Sequence, residues 1–493
     1  MKAHVVTLAL VLCTIQISWA IPRPDFGINT GVYGSADVSS TAKDSGTLID
    51  KVNDNLDIKL ESGYPLLTTI KTQLVGIAND FTTKGLLVSG AIDTLAVSTG
   101  PLNDAFGALT TASDNLITLM NTGLASYFTA LNTNLDNSIT TMLTDAFDDV
   151  KTQLTQLAGY LGTLKGQLQS AVTAAGSSPP TKVILRKYVS TTLTANVAKT
   201  VTALKANIPL VTYIVADSLE NVKEADNYIF AAGDVATAAL DGVNKGLEAL
   251  ESEVQQYSDD TSQITAVIKP VYQANFDMTG VDLSGIPLIS SEINEFKSTY
   301  TTDLDSTISD IKTAYATYKQ AVPLVSDGLT AFYSSSACNH MKQLVKVLIS
   351  NGKYAEYCYN KYSPRTFALF DQQAREVGRC ADLEITRLLK LQQILLSIAQ
   401  MLLFNIEDML AQVTSCAKIP QLCNQRDIEA AFHAVHTAAK SHQDSMKNYV
   451  TAETVAGLKR VSACFGTSKY LLLVAINSQV TEINNCAKDG PLA

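Results

Sequence analysis

The sequence predicts an all-α protein: long antiparallel helices or a coiled-coil bundle, followed by a smaller helical domain stapled by disulfides. Three observations carry that prediction. Apolar residues recur every third or fourth place along most of the 493 residues, which is the period of a helix and not the alternation of a strand. Charge divides the chain: residues 21–336 hold 19 Lys/Arg against 34 Asp/Glu, and residues 337–493 hold 17 against 13. Every cysteine after residue 20 lies in the second part. A chain of this length suits two or three domains.

Residues 1–20, MKAHVVTLALVLCTIQISWA, have a basic start at Lys2, an apolar run from Val5 to Leu12, and a small-x-small ending at Ser18-Trp19-Ala20. That pattern predicts a secretory leader cleaved after Ala20. No later stretch reaches the about 18 uninterrupted apolar residues of a spanning helix. The nearest, 389–410, is interrupted by glutamines and by Glu407-Asp408. A secreted, extracellular chain without a transmembrane span is the expectation.

Residues 21–336 read as an acidic, Thr/Ser/Ala-rich region of long helices. A weak helical pattern runs from Leu48 to Phe81. From Leu116 to Leu168, apolar residues at 116, 120, 124, 128, 131, 135, 139, 143, 147, 150, 154, 157, 161, 164 and 168 step about 3.7 residues on average, so a single helix here would reach about 78 Å. Leu185 to Val222 continues the pattern, with Pro209 expected to kink or split it. Two further stripes run from Leu240 to Ile268 and from Ile289 to Val322. Prolines in TGPL (99–102) and GIPL (285–288) suit first helical turns. AAGSSPPTK (174–182) is a turn or short linker, and residues 269–287 form the longest irregular connection.

The outer faces of these helices are Thr, Ser, Asn and Ala, which are mediocre or neutral helix formers. Their stability must therefore come from burying the apolar stripes. Gly159, Gly162 and Gly166 line one face, where close approach of another helix is expected to offset their cost. A membrane-dimer reading of Gly162-x-x-x-Gly166 fits poorly beside Lys165. Short turns favour an antiparallel bundle over a coiled coil completed by a second molecule.

Residues 337–493 form the cysteine-rich helical domain, with Ser363-Pro364 as a helix start, a long helix from about Gly378 to Cys416, and another start at Asn424 with Asp427. The disulfide candidates are Cys338, Cys358, Cys380, Cys416, Cys423, Cys464 and Cys486. Cys380 and Cys416 would lie about 54 Å apart on one helix, far beyond disulfide reach, so they do not pair with each other. Cys416 and Cys423 flank a turn, where they bridge each other or staple the turn to Cys486. Seven thiols leave one over, for a bond between molecules or for burial in reduced form.

The run CADLEITRLLKLQQILLSIAQMLLFNIEDMLAQVTSC…IPQLCNQRDIEAAFHAV…ACFGTSKYLLLVAINSQVTEINNC resembles, in its cysteine and leucine spacing, the helical domain of insect secreted proteins named after the tsetse EP protein. The likeness covers the last 130–160 residues. It implies an arthropod extracellular protein, of gut or salivary secretion for example, with no established catalytic activity and no catalytic residues to carry over.

No Gly-x-Ser-x-Gly elbow, phosphate-binding glycine loop or His-Glu-x-x-His occurs. Four histidines remain after residue 20: His340, His433, His436 and His442. Glu429, His433 and His436 share a helical face and could grip a metal, but no fourth ligand stands at a helical interval, so the face reads as solvated and no metal is expected. Tyr300, Tyr315 and Tyr318 read as core-edge residues with wet hydroxyls. No Asn-x-Ser/Thr sequon is present, and residues 176–181 are the best O-glycosylation site. The acidic first region argues against nucleic acid. The expected function is therefore non-enzymatic and without cofactor: binding or self-association, with a protein partner. The alternative is a membrane-active or lipid-carrying amphipathic protein, opposed by polar faces poor in Lys/Arg.

Overall fold

The structure, a computed structural model, describes residues 25–278, 280–332 and 338–492. The expected leader and the composition boundary at 336/337 lie outside these residues. Among them there are fourteen α-helices and no strand, the nearest to one being a single bridge between Asp25 and Ile28. The predicted all-α class holds. The helices gather into two compact units, each taken by itself below.

The first unit holds residues up to Ala231, Gln343–Lys361, and the chain from Glu482 onward. It contains α1 (Ser35–Asp50), α2 (Pro65–Ala96), α3 (Leu102–Thr118), α4 (Ala125–Asn134), α5 (Ser138–Ala175) and α6 (Lys182–Tyr188), with the start of α7 (Thr191–Gln263). The apolar stripe of α5 is fully used: Ile139, Leu143, Phe147, Val150, Leu154, Leu157, Leu161, Leu164 and Leu168 are all buried. Each such burial is worth about 1.5–3 kcal/mol, which is how threonine-clad helices stay wound.

The expected single rod from Leu116 to Leu168 is not formed. A π-helical turn at Leu119–Gly123 and an extended break at Leu135 divide it into α3, α4 and α5. The break falls at Asn134-Leu135-Asp136-Asn137, where Asx side chains compete with helical hydrogen bonding. Asp136 accepts from the Ser138 N–H at 2.9 Å, and Asn132 accepts from the Thr140 hydroxyl at 2.8 Å. The stripe still lies in the core on both sides, because apolar spacing records burial and not continuity. The Leu48–Phe81 pattern is likewise broken, between α1 and α2, where Asn55 and Gly63 take positive φ and Pro65 opens the next helix.

Pro209 does not split its helix: α7 runs unbroken from Thr191 to Gln263. Ile208 and Val211 on either side are buried, so packing outweighs the roughly 3 kcal/mol an interior proline costs. Gly159, Gly162 and Gly166 are exposed, with nothing within 4 Å of an added Cβ, so no helix among the described residues approaches them. The close approaches lie elsewhere. A Cβ at Gly46 would come within 2.7 Å of Ser89 Oγ, and one at Gly76 within 2.6 Å of the Tyr127 ring. These glycines let α1 and α4 pack tightly on α2, and Ser89 donates across the gap to the Ala42 carbonyl at 2.7 Å.

The second unit holds Ala232–Lys342 and Tyr362–Thr481. It contains the end of α7, then α8 (Lys269–Asp277), α9 (Pro287–Ser298), α10 (Leu304–Ala321) and α11 (Leu324–Phe332). α12 (Cys338–Ile349), α13 (Ala355–Lys418) and α14 (Gln425–Asp489) contribute residues to both units. The 243–264 and 289–322 stripes pack with α13 and α14 in one core. Residues 269–277, expected to be irregular, are helical: they follow α7 without a break, through a π-helical turn at Ile264–Ile268 just before Pro270. α13 starts at Ala355 and runs through Pro364, so Ser363-Pro364 is not its start. The units also divide the chain at other places than the composition does: 343–361 joins the acidic region's helices, and 232–332 joins the cysteine-bearing ones.

Candidate binding surface and candidate metal ligands

α13 is the element on which the candidate surface is built. Its inner face buries Leu388, Leu391, Leu395, Leu402 and Ile406 in the second unit's core. Its opposite face carries Ile394, Met401 and Phe404, at 43%, 42% and 65% exposure. Positions 390, 394, 397, 401 and 404 step by fours and threes, so they form one stripe. A shallow depression of about 330 Å³ runs along it, lined by Lys390, Gln393, Ile394, Ser397, Ile398 and Met401. This helix is long and apolar enough to cross a membrane by length and composition, and 33% of its most apolar window is buried.

A second concavity of about 550 Å³ lies between α13 and α14, beside the Cys380–Cys464 disulfide. Leu369, Leu471, Leu472 and Ala475 line its apolar part, and Gln372, Gln373 and Glu376 its polar part.

The structure pairs six of the seven candidate cysteines. Cys358 bonds Cys486 in the first unit; Cys380 bonds Cys464 and Cys416 bonds Cys423 in the second. Their Cα separations of 5.9, 6.0 and 5.3 Å are those of ordinary disulfides. Cys380 and Cys416 do not meet, and the 416–423 turn closes on itself. Cys338 opens α12, and its side chain lies outside the described residues.

Next to Cys380–Cys464 is a buried ion pair. Glu384 is 1% exposed and accepts from Arg460 Nε and Nη2 at 3.1 and 2.8 Å. Arg460 also donates to Glu453 at 2.5 Å. The Glu384 hydrogen bond, then its charge, raises the Arg460 pKa against burial, so the guanidinium stays charged. Gly457 makes the pair possible, since a Cβ there would overlap Glu384 Oε1.

The tyrosines expected at the core edge are buried inside it: Tyr300, Tyr315 and Tyr318 are 0–2% exposed. Burial raises the pKa of each, and pushes Tyr257 up to about 12 with help from Glu253. Tyr272 donates to the Ala399 carbonyl at 2.9 Å. His340 is buried, with Nε2 2.9 Å from Thr366 Oγ1; the Thr366 hydroxyl donates to the Tyr362 carbonyl, which leaves the His340 N–H as donor. Burial lowers the His340 pKa.

His433 and His436 do share a face of α14, but Glu429 is not the group they meet. Glu292 and Glu295 of α9 are. A carboxylate oxygen of each and a ring nitrogen of His436 lie within 4.8 Å of one another. His433 Nδ1 is 4.0 Å from Glu292 Oε2. Sequence reasoning missed the two glutamates because they stand about 140 residues from the histidines; their one signal, an i, i+3 pair on the polar face of α9, is common on solvated helices.

Comparison with protein-family models and with curated proteins finds no match to this chain.

Proposed function

We propose that the protein is a secreted, non-enzymatic helical protein that acts by binding or assembly in an extracellular fluid. The observation that carries this reading is the α13 stripe of Ile394, Met401 and Phe404, an apolar line at helical spacing left in water. Such lines on a folded protein mark contact surfaces, and a stripe stepping by fours and threes suits another helix. Three disulfides are compatible with an oxidising, extracellular setting. The leader-like first twenty residues and the likeness to the tsetse EP domain support an insect secretion such as gut or salivary fluid.

The test is light scattering of the full mature chain at rising concentration, with and without reductant, beside a Met401→Ser/Phe404→Ser variant. Concentration-dependent association that the double variant loses supports assembly through α13. A chain that stays monomeric, and binds no purified candidate from the secreting tissue through this face, overturns it.

A second reading, lipid carriage or membrane action, is favoured by the 550 Å³ groove between α13 and α14 and its apolar lining. Co-purified lipid, or dye released from liposomes, would displace the first reading.

A further inference from the structure

We propose that Glu292 and Glu295 of α9, with His433 and His436 of α14, bind one divalent cation of the zinc type. Each helix offers two ligand side chains three residues apart, hence on one face, and the two faces meet in the second unit. Two imidazoles and two carboxylates make a donor set that suits zinc; calcium and magnesium favour oxygen alone.

Four features of the geometry support a bound ion. First, carboxylate oxygens of Glu292 and Glu295 and a His436 ring nitrogen already lie within 4.8 Å of one another. Ligands about 2.0–2.2 Å from a tetrahedral zinc are roughly 3.4 Å apart, so the site closes by about an ångström. Second, Glu295 and His433 are exposed and have the rotamer freedom to make that movement. Third, Glu292 Oε2 is shielded from solvent and accepts no hydrogen bond. A hidden carboxylate oxygen without a donor is costly, and a cation removes that cost. Fourth, the His436 ring is held in place: it packs edge-on against Phe296 at 5.5 Å, and its Nε2 is 2.6 Å from Thr299 Oγ1. A metal-bound histidine is commonly held by such a hydrogen-bonding oxygen.

The test uses the full chain, stripped with EDTA and titrated with zinc chloride by calorimetry. One zinc per chain is expected, with affinity falling about tenfold or more in Glu295→Gln and in His436→Ala. Glu429→Gln, which removes a carboxylate from the same face of α14 but outside the cluster, should bind as the parent does. Glu295 is exposed, so its variant keeps the fold, as circular dichroism will show. The proposal is overturned if the chain takes up no zinc, if Glu295→Gln binds with undiminished affinity, or if uptake disappears on alkylating a free thiol.

Discussion

At the scale of single residues, the same residue type has opposite consequences in two places. Gly162 sits on an exposed helix face with open space beyond its Cα, whereas Gly76 has the Tyr127 ring where a Cβ would go. Gly162→Ala is therefore expected to stabilise by about 1 kcal/mol through helix propensity alone. Gly76→Ala is expected to destabilise by about 1–3 kcal/mol through overpacking. Urea unfolding of the two variants beside the parent checks both signs. Glu384→Ala leaves Arg460, about a third exposed, with Glu453 as its remaining carboxylate and should cost about 1.5–3 kcal/mol, read in the same experiment.

Buried titratable groups contribute to the pH limits of the second unit: the tyrosines, Tyr257 among them, at the alkaline end and His340 at the acid end. Tyr257 has its pKa raised to about 12 in the folded chain from an ordinary 10.0. Its contribution to stability is present below pH 10 and is lost as pH rises through 12. The His340 pKa is lowered from 6.5 by burial. Its contribution is present above pH 6.5 and is lost as pH falls below that value, because only the unfolded chain then takes up the proton. Thermal midpoints across this range should decline at both ends, and His340→Gln should flatten the acid limb. An acid limb unchanged by that substitution would show that another group sets it.

At the scale of elements, the three disulfides close loops of very different length: Cys358–Cys486 spans 128 residues, Cys380–Cys464 spans 84, and Cys416–Cys423 spans 7. The chain-entropy argument assigns them about 4.9, 4.6 and 2.4 kcal/mol in that order. Paired Cys→Ser replacements should lower the unfolding midpoint in the same order, with the short loop least affected. A larger loss from the short loop would mean that its turn, and not unfolded-chain entropy, dominates.

The elements also show where periodicity succeeds and fails. It located the buried stripes of α5, α7, α9 and α10, because a 3.6-residue repeat of apolar side chains has few uses besides burial. It overlooked the break at Leu135, since one extended residue hardly disturbs an apolar spacing of three or four. It also gave Pro209 too much weight, since the packing of Ile208 and Val211 is not visible along the chain.

At the scale of the molecule, each compact unit is completed by residues distant in sequence. A chain ending at residue 336 would lack Gln343–Lys361 and Glu482 onward from the first unit, and α13 and α14 from the second. Such a truncation should show lower helicity per residue than the full chain and a broad, uncooperative melt by circular dichroism. A sharp melt at full helicity would show instead that residues 21–336 fold independently.

What the sequence determined by itself was the helical class, the buried stripes of its most periodic segments, and the confinement of the cysteines after residue 20 to one stretch. All three follow from local periodicity or composition, which folding preserves. Only the tertiary structure decided that Cys358 reaches Cys486, that Gly76 and not Gly162 is a point of close packing, and that His436 faces Glu292 instead of Glu429. Each of these depends on which helix faces which. That choice is made by the sum of many apolar contacts between distant segments, and no short window of sequence contains it.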